Sequence, residues 1–101
     1  DNGATPLYIA AGKGHLEVVR YLCEAGANAD AARDTGATPL YMAAYKGHLE
    51  VVRCLCEAGA SESTVTNSGE TAIDAASRSG HDNIANFLKK RNAYTKPAGR
   101  D

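Results

Sequence analysis

Apolar positions along the chain follow a helical period, and the pattern returns every 33 residues. On a helical wheel at 100° per residue, the segment after Gly14-His15 places its apolar side chains on an arc of about 160°. The arc consists of Leu16, Val18, Val19, Leu22 and Cys23, and Glu17, Arg20 and Glu24 lie opposite. The pattern predicts an amphipathic helix that stops at Gly26 and contacts two neighbouring elements.

A shorter helix is predicted just before this one. Thr5-Pro6 and Thr38-Pro39 each combine an N-cap threonine with a proline at the first helical position, where the missing N–H costs nothing. The glycines that follow predict ends near residues 12–14 and 46–47. Helices below the roughly 12 to 15 residues that a lone helix needs in water persist only when they pack together.

The phrase GATPLY occurs at residues 3–8 and again at residues 36–41. A third, diverged copy, SGETAIDAASRSGHDNIANFLKK, keeps its glycine, threonine and histidine positions in register. A fixed period predicts an all-α solenoid of three stacked helix-turn-helix repeats at residues 1–33, 34–66 and 67–93. Residues 1–27 and 34–60 differ at only four positions, which are Asn2/Thr35, Ile9/Met42, Gly12/Tyr45 and Tyr21/Cys54.

The third copy differs from the others along one edge of its second helix. Leu16 and Cys23 of the first copy correspond there to Asp82 and Lys89. A polar edge predicts that this repeat is a C-terminal cap, since no further repeat covers it. We expect its helix to stop at Asn92, because Asn is the next best residue after Gly for a left-handed C-cap. Residues 94–101 are predicted to form a polar tail that frays.

The first copy has no such polar edge. Val18 and Leu22 form the edge of its second helix that is predicted to face away from the next repeat. We therefore predict an apolar patch on the N-terminal face, which drives weak self-association unless another repeat covers it. The chain begins inside a repeat and without Met, so we expect it to be a piece of a longer protein.

These residues resemble the ankyrin repeat, through the Thr-Pro-Leu start, the Gly-His-Leu centre and the Gly-Ala end of each unit over about residues 1–93. The resemblance implies a curved stack of antiparallel helix pairs, hairpin-like loops that project from it, and protein binding on the concave side. One departure is that the usual His after Thr-Pro-Leu is replaced by Tyr8, Tyr41 and Asp74. We expect less polar bridging between repeats as a result.

Composition and charge narrow the function further. The chain has 101 residues, enough for one small domain, and 11 basic against 12 acidic residues give a net charge of -1. No overall field therefore attracts nucleic acid or an anionic membrane. We find no run of about 18 apolar residues and no secretory leader. The odd number of cysteines, 3, favours a reducing compartment, so we expect an intracellular protein of the cytoplasm or nucleus.

Candidate catalytic and metal-binding residues do not converge in the predicted fold. His15, His48 and His81 recur once per repeat, so stacking would hold them about 8 to 10 Å apart, too far to share an ion. Cys54 and Cys56 would point about 200° apart on a helix and could not chelate together. We find no nucleophile with a neighbouring base and no Gly-rich phosphate loop. We therefore expect no catalytic residue, no metal and no cofactor.

Two further features have structural interpretations. Cys23 and Cys56 occupy the same apolar repeat position and are predicted to be reduced and largely buried. The run Lys89-Lys90-Arg91-Asn92 lies near the predicted end of the last helix, where cations complement the helix dipole. We favour that interpretation over a nucleic-acid site.

Two functions remain open. The first is a non-catalytic protein interaction module or scaffold. Its binding surface would include the position after Ala-Ala, which is Gly12, Tyr45 and Arg78 in the three repeats. A core position would not tolerate these three residues in turn, so we expect this position to be exposed. The alternative is a structural spacer without a recognition role, which the near identity of the first two repeats favours. With the loop positions that the ankyrin resemblance adds, the predicted partner-binding residues are Tyr45, Lys46, Lys13, Asp34, Thr35, Ala37 and Arg78.

Overall fold

The computed structural model describes residues 3–95 of the chain, with side chains as far as residue 91. Within residues 3–95 it contains six helices and no strand. Because the helices come in three short pairs, the predicted all-α repeat fold is confirmed. In chain order the helices are α1 (Pro6–Lys13), α2 (Leu16–Glu24), α3 (Pro39–Lys46), α4 (Leu49–Glu57), α5 (Ala72–Arg78) and α6 (Asp82–Thr95).

The first helix of each pair begins at a threonine. The Thr5 hydroxyl accepts a hydrogen bond from the Tyr8 N–H at 3.1 Å, and the Thr38 hydroxyl accepts one from the Tyr41 N–H at 3.2 Å. Thr71 does the same as part of a reciprocal capping box at the start of α5. These oxygens satisfy N–H groups that the first helical turn leaves unpaired, so the predicted helix starts are confirmed.

Glycines end the helices of the first two repeats. Gly14 and Gly47 cap α1 and α3 in the left-handed conformation, with φ of 75° and 87°. Gly26 and Gly59 follow α2 and α4 with φ of 92° and 94°. Because this region carries no steric cost for Gly, the predicted ends of these four helices are confirmed.

The last helix does not end where the sequence predicts. The expected stop at Asn92 is wrong, because α6 continues to Thr95. Asn enters the left-handed region less readily than Gly, so it does not end α6 as Gly26 ends α2. Of the predicted polar tail, residues 96–101 lie outside the described residues.

The helix pairs stack so that their first helices form one layer and their second helices form another. Helix α3 packs between α1 and α5, and α4 contacts both α2 and α6. Small buried side chains let the first-layer helices approach closely, while leucines and valines fill the space between the layers. The buried alanines of the first layer are Ala10, Ala11, Ala43, Ala44, Ala72, Ala75 and Ala76, and the largest fully buried apolar side chains between the layers include Leu7, Leu40, Leu55, Ile84, Leu88, Val19 and Val52.

A hairpin-like loop precedes α3, and a second one precedes α5. In the first loop the Arg33 N–H donates to the Ala37 carbonyl at 3.0 Å. At the matched positions of the second loop, the Thr66 N–H donates to the Glu70 carbonyl at 2.9 Å. Each loop is thus closed by its own backbone hydrogen bond, which gives it a defined shape.

The N-terminal face of the first repeat is apolar and open. Val18 and Ile9 are 47% and 48% exposed, whereas Val51, which matches Val18 in the second repeat, is 2% exposed. Pro6 is exposed as well, although the matched Pro39 is fully buried. The first repeat covers this face of the second repeat, whereas the same face of the first repeat is exposed. The predicted apolar patch is confirmed at Val18, while Leu22, which was predicted to share it, is half-buried against the core.

Candidate partner-binding surface

The variable position of the repeat lies at the end of each first-layer helix. Tyr45 is 39% exposed, and its ring stacks on that of Tyr41 with the centroids 6.5 Å apart and the planes inclined by 11°. The guanidinium carbon of Arg78 lies 5.9 Å from the Tyr45 ring centroid, and the Lys46 Nζ lies 5.7 Å from it. Three of the predicted partner-binding residues therefore meet around one aromatic ring.

A carboxylate links these aromatic and cationic groups. The Tyr41 hydroxyl donates to Glu70 Oε1 at 2.6 Å, and Arg78 Nη2 donates to the same oxygen at 2.7 Å. The hydrogen bond from Tyr41, ahead of the one from Arg78, lowers the pKa of the Glu70 carboxyl. Burial, followed by the bond to Glu70, raises the pKa of Tyr41. We call Tyr41, Tyr45, Glu70 and Arg78 the tyrosine–arginine cluster.

Two members of the tyrosine–arginine cluster, Tyr41 and Glu70, were missed by sequence reasoning. Tyr41 replaces the His of the repeat motif, and its hydroxyl now bridges to the next repeat through Glu70. A signal was present, because Glu70 and Arg78 appear together in the third repeat at positions where the second repeat has Ala37 and Tyr45. When a carboxylate and a guanidinium are both present in one repeat and both absent from the repeat before it, they are candidates for an ion pair.

The matching tyrosine of the first repeat has no such bridge. Tyr8 is 6% exposed, and its buried hydroxyl has no hydrogen-bond partner among the described residues. Ala37 occupies the position that Glu70 occupies one repeat later, so no carboxylate is available there. The Arg33 guanidinium carbon lies 5.6 Å from the Tyr8 ring centroid, and its contact with the Tyr8 side chain is the largest cause of the raised pKa of Arg33, although the geometry allows no hydrogen bond to the Tyr8 hydroxyl. The expected loss of polar bridging therefore holds for Tyr8 at the first interface between repeats but is wrong for Tyr41, whose hydroxyl bridges the second interface through Glu70.

The remaining predicted residues have different surroundings. Lys13 is exposed in the last turn of α1. Asp34 and Thr35 are exposed in the first loop, where the Asn67 side-chain amide donates to the Asp34 carbonyl and the Asn67 N–H donates to the Thr35 carbonyl, both at 2.9 Å. These bonds join the two loops. Ala37 is 4% exposed and so offers almost no side-chain surface.

Gly12, the first-repeat member of the variable position, has a packing role. A Cβ on Gly12 would lie 2.8 Å from Met42 Cγ in the next repeat. One repeat later the matched residues are Tyr45 and Ala75, so the large and small side chains exchange places. Because interiors are close-packed, a change on one side of such an interface requires a change on the other. Gly12 and Met42, which belong to two of the four positions that differ between the first two repeats, therefore lie against each other across the first interface.

The repeated histidines pack on glycines of the preceding repeat. A Cβ on Gly14 would lie 2.7 Å from the His48 ring, and one on Gly47 would lie 2.6 Å from the His81 ring. His48 Nε2 also lies 3.1 Å from the Gly12 carbonyl oxygen. The structure thus places both rings in contacts between repeats, where the left-handed glycines leave them room. Among the side chains of residues 3–91, no group of three or more candidate ligands could hold a metal ion.

The thiols have two environments. Cys56 is buried, as predicted, and burial followed by the Glu62 carboxylate raises the pKa of its thiol to about 12. The prediction that Cys23 is largely buried is wrong: Cys23 is only partly buried, because it lines an open groove between α2 and α4 together with Cys54, which is also partly buried. Burial is the main cause of the raised pKa of these two thiols. A high thiol pKa keeps the nucleophilic thiolate scarce at neutral pH.

Three stacked helix pairs, joined loops and an exposed aromatic and cationic surface define a helical-repeat protein. A family model described as ankyrin repeats, in three copies, matches residues 1–66 and 26–97. The chain belongs to the ankyrin repeat family, whose members are generally protein–protein interaction modules and typically non-catalytic. No curated protein matches the chain. Among the described residues, no helix combines the length and the apolar character needed to cross a membrane.

Proposed function

We propose that the chain is a non-catalytic protein–protein interaction module that binds a partner protein through its concave face and loop tips. The observation that carries this proposal is the tyrosine–arginine cluster, which presents Tyr45 and Arg78 at a position that varies between otherwise similar repeats. Tyr and Arg are enriched among the residues that dominate interface energies. Lys13, Lys46, Asp34 and Thr35 add exposed polar surface, and Ala37 shapes the loop through its backbone bond to Arg33.

The contacts within the tyrosine–arginine cluster support a binding role in a second way. Glu70 holds both Tyr41 and Arg78 by short hydrogen bonds, and Tyr41 in turn stacks on Tyr45. Side chains that are already ordered lose less conformational entropy when a partner binds. The exposed faces of Tyr45 and Arg78 are therefore preorganised for contact.

Site-specific photo-crosslinking tests this proposal. A photoreactive phenylalanine derivative replaces Tyr45 in one protein and Tyr21 in a control, because Tyr21 is 69% exposed on the second-layer helix α2. Position 45 is expected to crosslink a distinct protein from a cell lysate, and position 21 is not. Equal crosslinking from both positions, with helical circular dichroism spectra for both proteins, would count against the tyrosine–arginine cluster as the binding site.

A structural spacer is the second candidate function. The close identity of residues 1–27 and 34–60 favours it, because units selected for one partner tend to diverge. In that case the chain sets a distance between other domains and recognises nothing itself. A folded protein that crosslinks no partner from position 45 or position 21 would support the spacer and contradict the interaction module.

The proposal also covers how the chain associates with itself and in which cellular compartment it acts. The exposed side chains of Pro6, Ile9 and Val18 form an apolar surface, through which we propose that two copies associate weakly. The net charge of -1 and the free cysteines support an intracellular module that has no nucleic-acid, membrane or cofactor partner.

A further inference from the structure

A groove of about 550 Å³ lies between α4 and α6 in the second layer of helices. Its cations are Arg53, Lys89 and Lys90, and Phe87 supplies an aromatic surface. The Arg53 guanidinium carbon lies 5.6 Å from the Phe87 ring centroid. No carboxylate of a described residue lines the groove. It is therefore strongly positive within a chain whose net charge is only -1.

The matching groove one repeat earlier, between α2 and α4, has the opposite charge. Its charged residues are Arg20, Glu24 and Glu57, which are one cation and two carboxylates. Lys90 occupies the position that matches Glu57, and Asn83 occupies the position of Glu50. At the groove-lining positions of α6 the third repeat has thus lost two carboxylates and, at Asn86, one arginine, and it has gained the two lysines Lys89 and Lys90.

Neither the helix dipole nor the capping role accounts for this change. Helix α6 continues to Thr95 and has no basic residue in its last turn, so Lys89 and Lys90 are not placed to complement the dipole. The C-terminal cap needs a polar edge, and this requirement explains why Lys89 stands where the other two repeats have a cysteine. It does not explain Lys90, because Glu57 at the matched position is already charged and exposed.

We propose that the α4–α6 groove binds an acidic segment of a partner protein. Carboxylates of the segment pair with Lys89, Lys90 and Arg53, and one apolar side chain packs on Phe87. Arg53 can exchange its present partner, Glu50, for a carboxylate of the segment. The two residues form an exposed ion pair at 3.8 Å, and such a pair contributes little to stability. The site is separate from the tyrosine–arginine cluster and does not depend on it.

Charges at the border of the groove favour a short acidic segment over a long polyanion. Glu50 lies 3.8 Å from Arg53, and Glu62 lies 2.6 Å from Arg91, whose guanidinium carbon is 6.0 Å from the Phe87 centroid. These carboxylates confine the positive surface to the groove, so it does not continue as the basic track that a nucleic-acid backbone or an anionic membrane needs. A nucleic-acid site also neutralises more phosphates than three cations can match.

Fluorescence anisotropy with a labelled acidic peptide tests the proposal. The probe is a peptide of roughly ten residues with glutamates on both sides of a central leucine. The key variant is Lys90→Glu, which places at this position the residue that the other two repeats carry and is therefore compatible with the fold. The control is Arg20→Glu, which changes the net charge equally but lies on α2, in the matching groove one repeat earlier and outside both proposed sites.

We expect Lys90→Glu to weaken peptide binding by at least about tenfold and Arg20→Glu by less than about threefold. Added salt is expected to weaken binding to the unmodified chain, because exposed charges are screened. Absence of peptide binding, or equal losses in the two variants, would overturn the proposal. Tighter Lys90-dependent binding of single-stranded DNA or of anionic vesicles would overturn it as well. None of these outcomes bears on Tyr45, so the proposed function is tested separately.

Discussion

At the scale of single residues, the tyrosines at positions 8 and 41 show how surroundings decide the value of a hydroxyl group. The Tyr41 hydroxyl donates to Glu70 at 2.6 Å, whereas the buried Tyr8 hydroxyl has no partner among the described residues. Leaving a polar group buried and unpaired costs about 1 to 3 kcal/mol. The same hydroxyl group is therefore hydrogen-bonded at the second interface between repeats, whereas at the first interface it is buried without a hydrogen bond.

Phenylalanine substitutions at these two positions measure the difference. Tyr8→Phe removes the unpaired hydroxyl and is expected to raise the free energy of unfolding by roughly 0 to 1 kcal/mol. Tyr41→Phe is expected to lower the melting temperature, because the Glu70 carboxylate loses a donor. Thermal unfolding followed by circular dichroism compares the two variants. A Tyr8→Phe protein that is less stable than the Tyr41→Phe protein would contradict this account.

The thiols give a second test at the residue scale. Burial holds the pKa of Cys56 at about 12, so its thiolate is scarcer at neutral pH than that of an ordinary cysteine by a factor of roughly a thousand. We expect iodoacetamide to modify Cys23 and Cys54 first and to leave Cys56 intact until the protein is denatured. Mass spectrometry of peptides from partly alkylated protein determines the order. Early modification of Cys56 in the folded chain would refute its burial.

At the scale of helices, left-handed glycines carry out two different tasks. Gly26 ends α2 with φ of 92°, and a Cβ there would meet nothing within 4 Å. Gly47 caps α3 with φ of 87°, and a Cβ there would lie 2.6 Å from the His81 ring of the next repeat. Gly47 is thus needed both for the backbone conformation and for contact between repeats.

Alanine substitutions separate these tasks. Gly26→Ala is expected to cost roughly 1 to 2 kcal/mol from left-handed strain alone. Gly47→Ala is expected to cost roughly 1 kcal/mol more, because the new methyl group displaces the ring of His81. Urea denaturation of both variants gives the comparison. Equal losses would show that the histidine moves away freely.

Sequence reasoning predicts those helix features that depend on neighbouring residues. Thr5 and Thr38 identify helix starts, and Gly26 identifies a helix end, because caps act within one turn. Asn92 misleads because Asn is a weaker stop than Gly and α6 continues past it. The bond between Tyr41 and Glu70 joins residues 29 positions apart. Such a pair becomes visible only when the register between stacked repeats is known, and the same holds for the charge of the α4–α6 groove.

At the scale of the whole molecule, stacking covers the second repeat on both sides and the first repeat on only one. The described molecule extends 43 × 28 × 20 Å, with its three helix pairs side by side. Val51 is buried by the first repeat, while Val18 at the matched position is 47% exposed. Near-identical repeats therefore differ in exposure because of their place in the stack, and the first repeat presents an apolar face.

A charge on this face tests whether it causes self-association. Val18→Glu is expected to abolish association at millimolar concentration, since burying an unpaired carboxylate is costly. The control is Val65→Glu, because Val65 is 49% exposed in the loop before α5, away from the N-terminal face. Sedimentation equilibrium measures the apparent mass of each protein. Association that persists in Val18→Glu and disappears in Val65→Glu would place the contact elsewhere.

Isothermal titration of a verified partner protein tests the central claim, that the tyrosine–arginine cluster is the recognition surface. Tyr45→Ala is expected to weaken binding by at least about 1 kcal/mol, because it removes the ring around which Tyr41, Lys46 and Arg78 gather. Tyr21→Ala removes an equally large exposed ring from α2 and is expected to leave the affinity unchanged. Unchanged affinity in a folded Tyr45→Ala protein would contradict the claim.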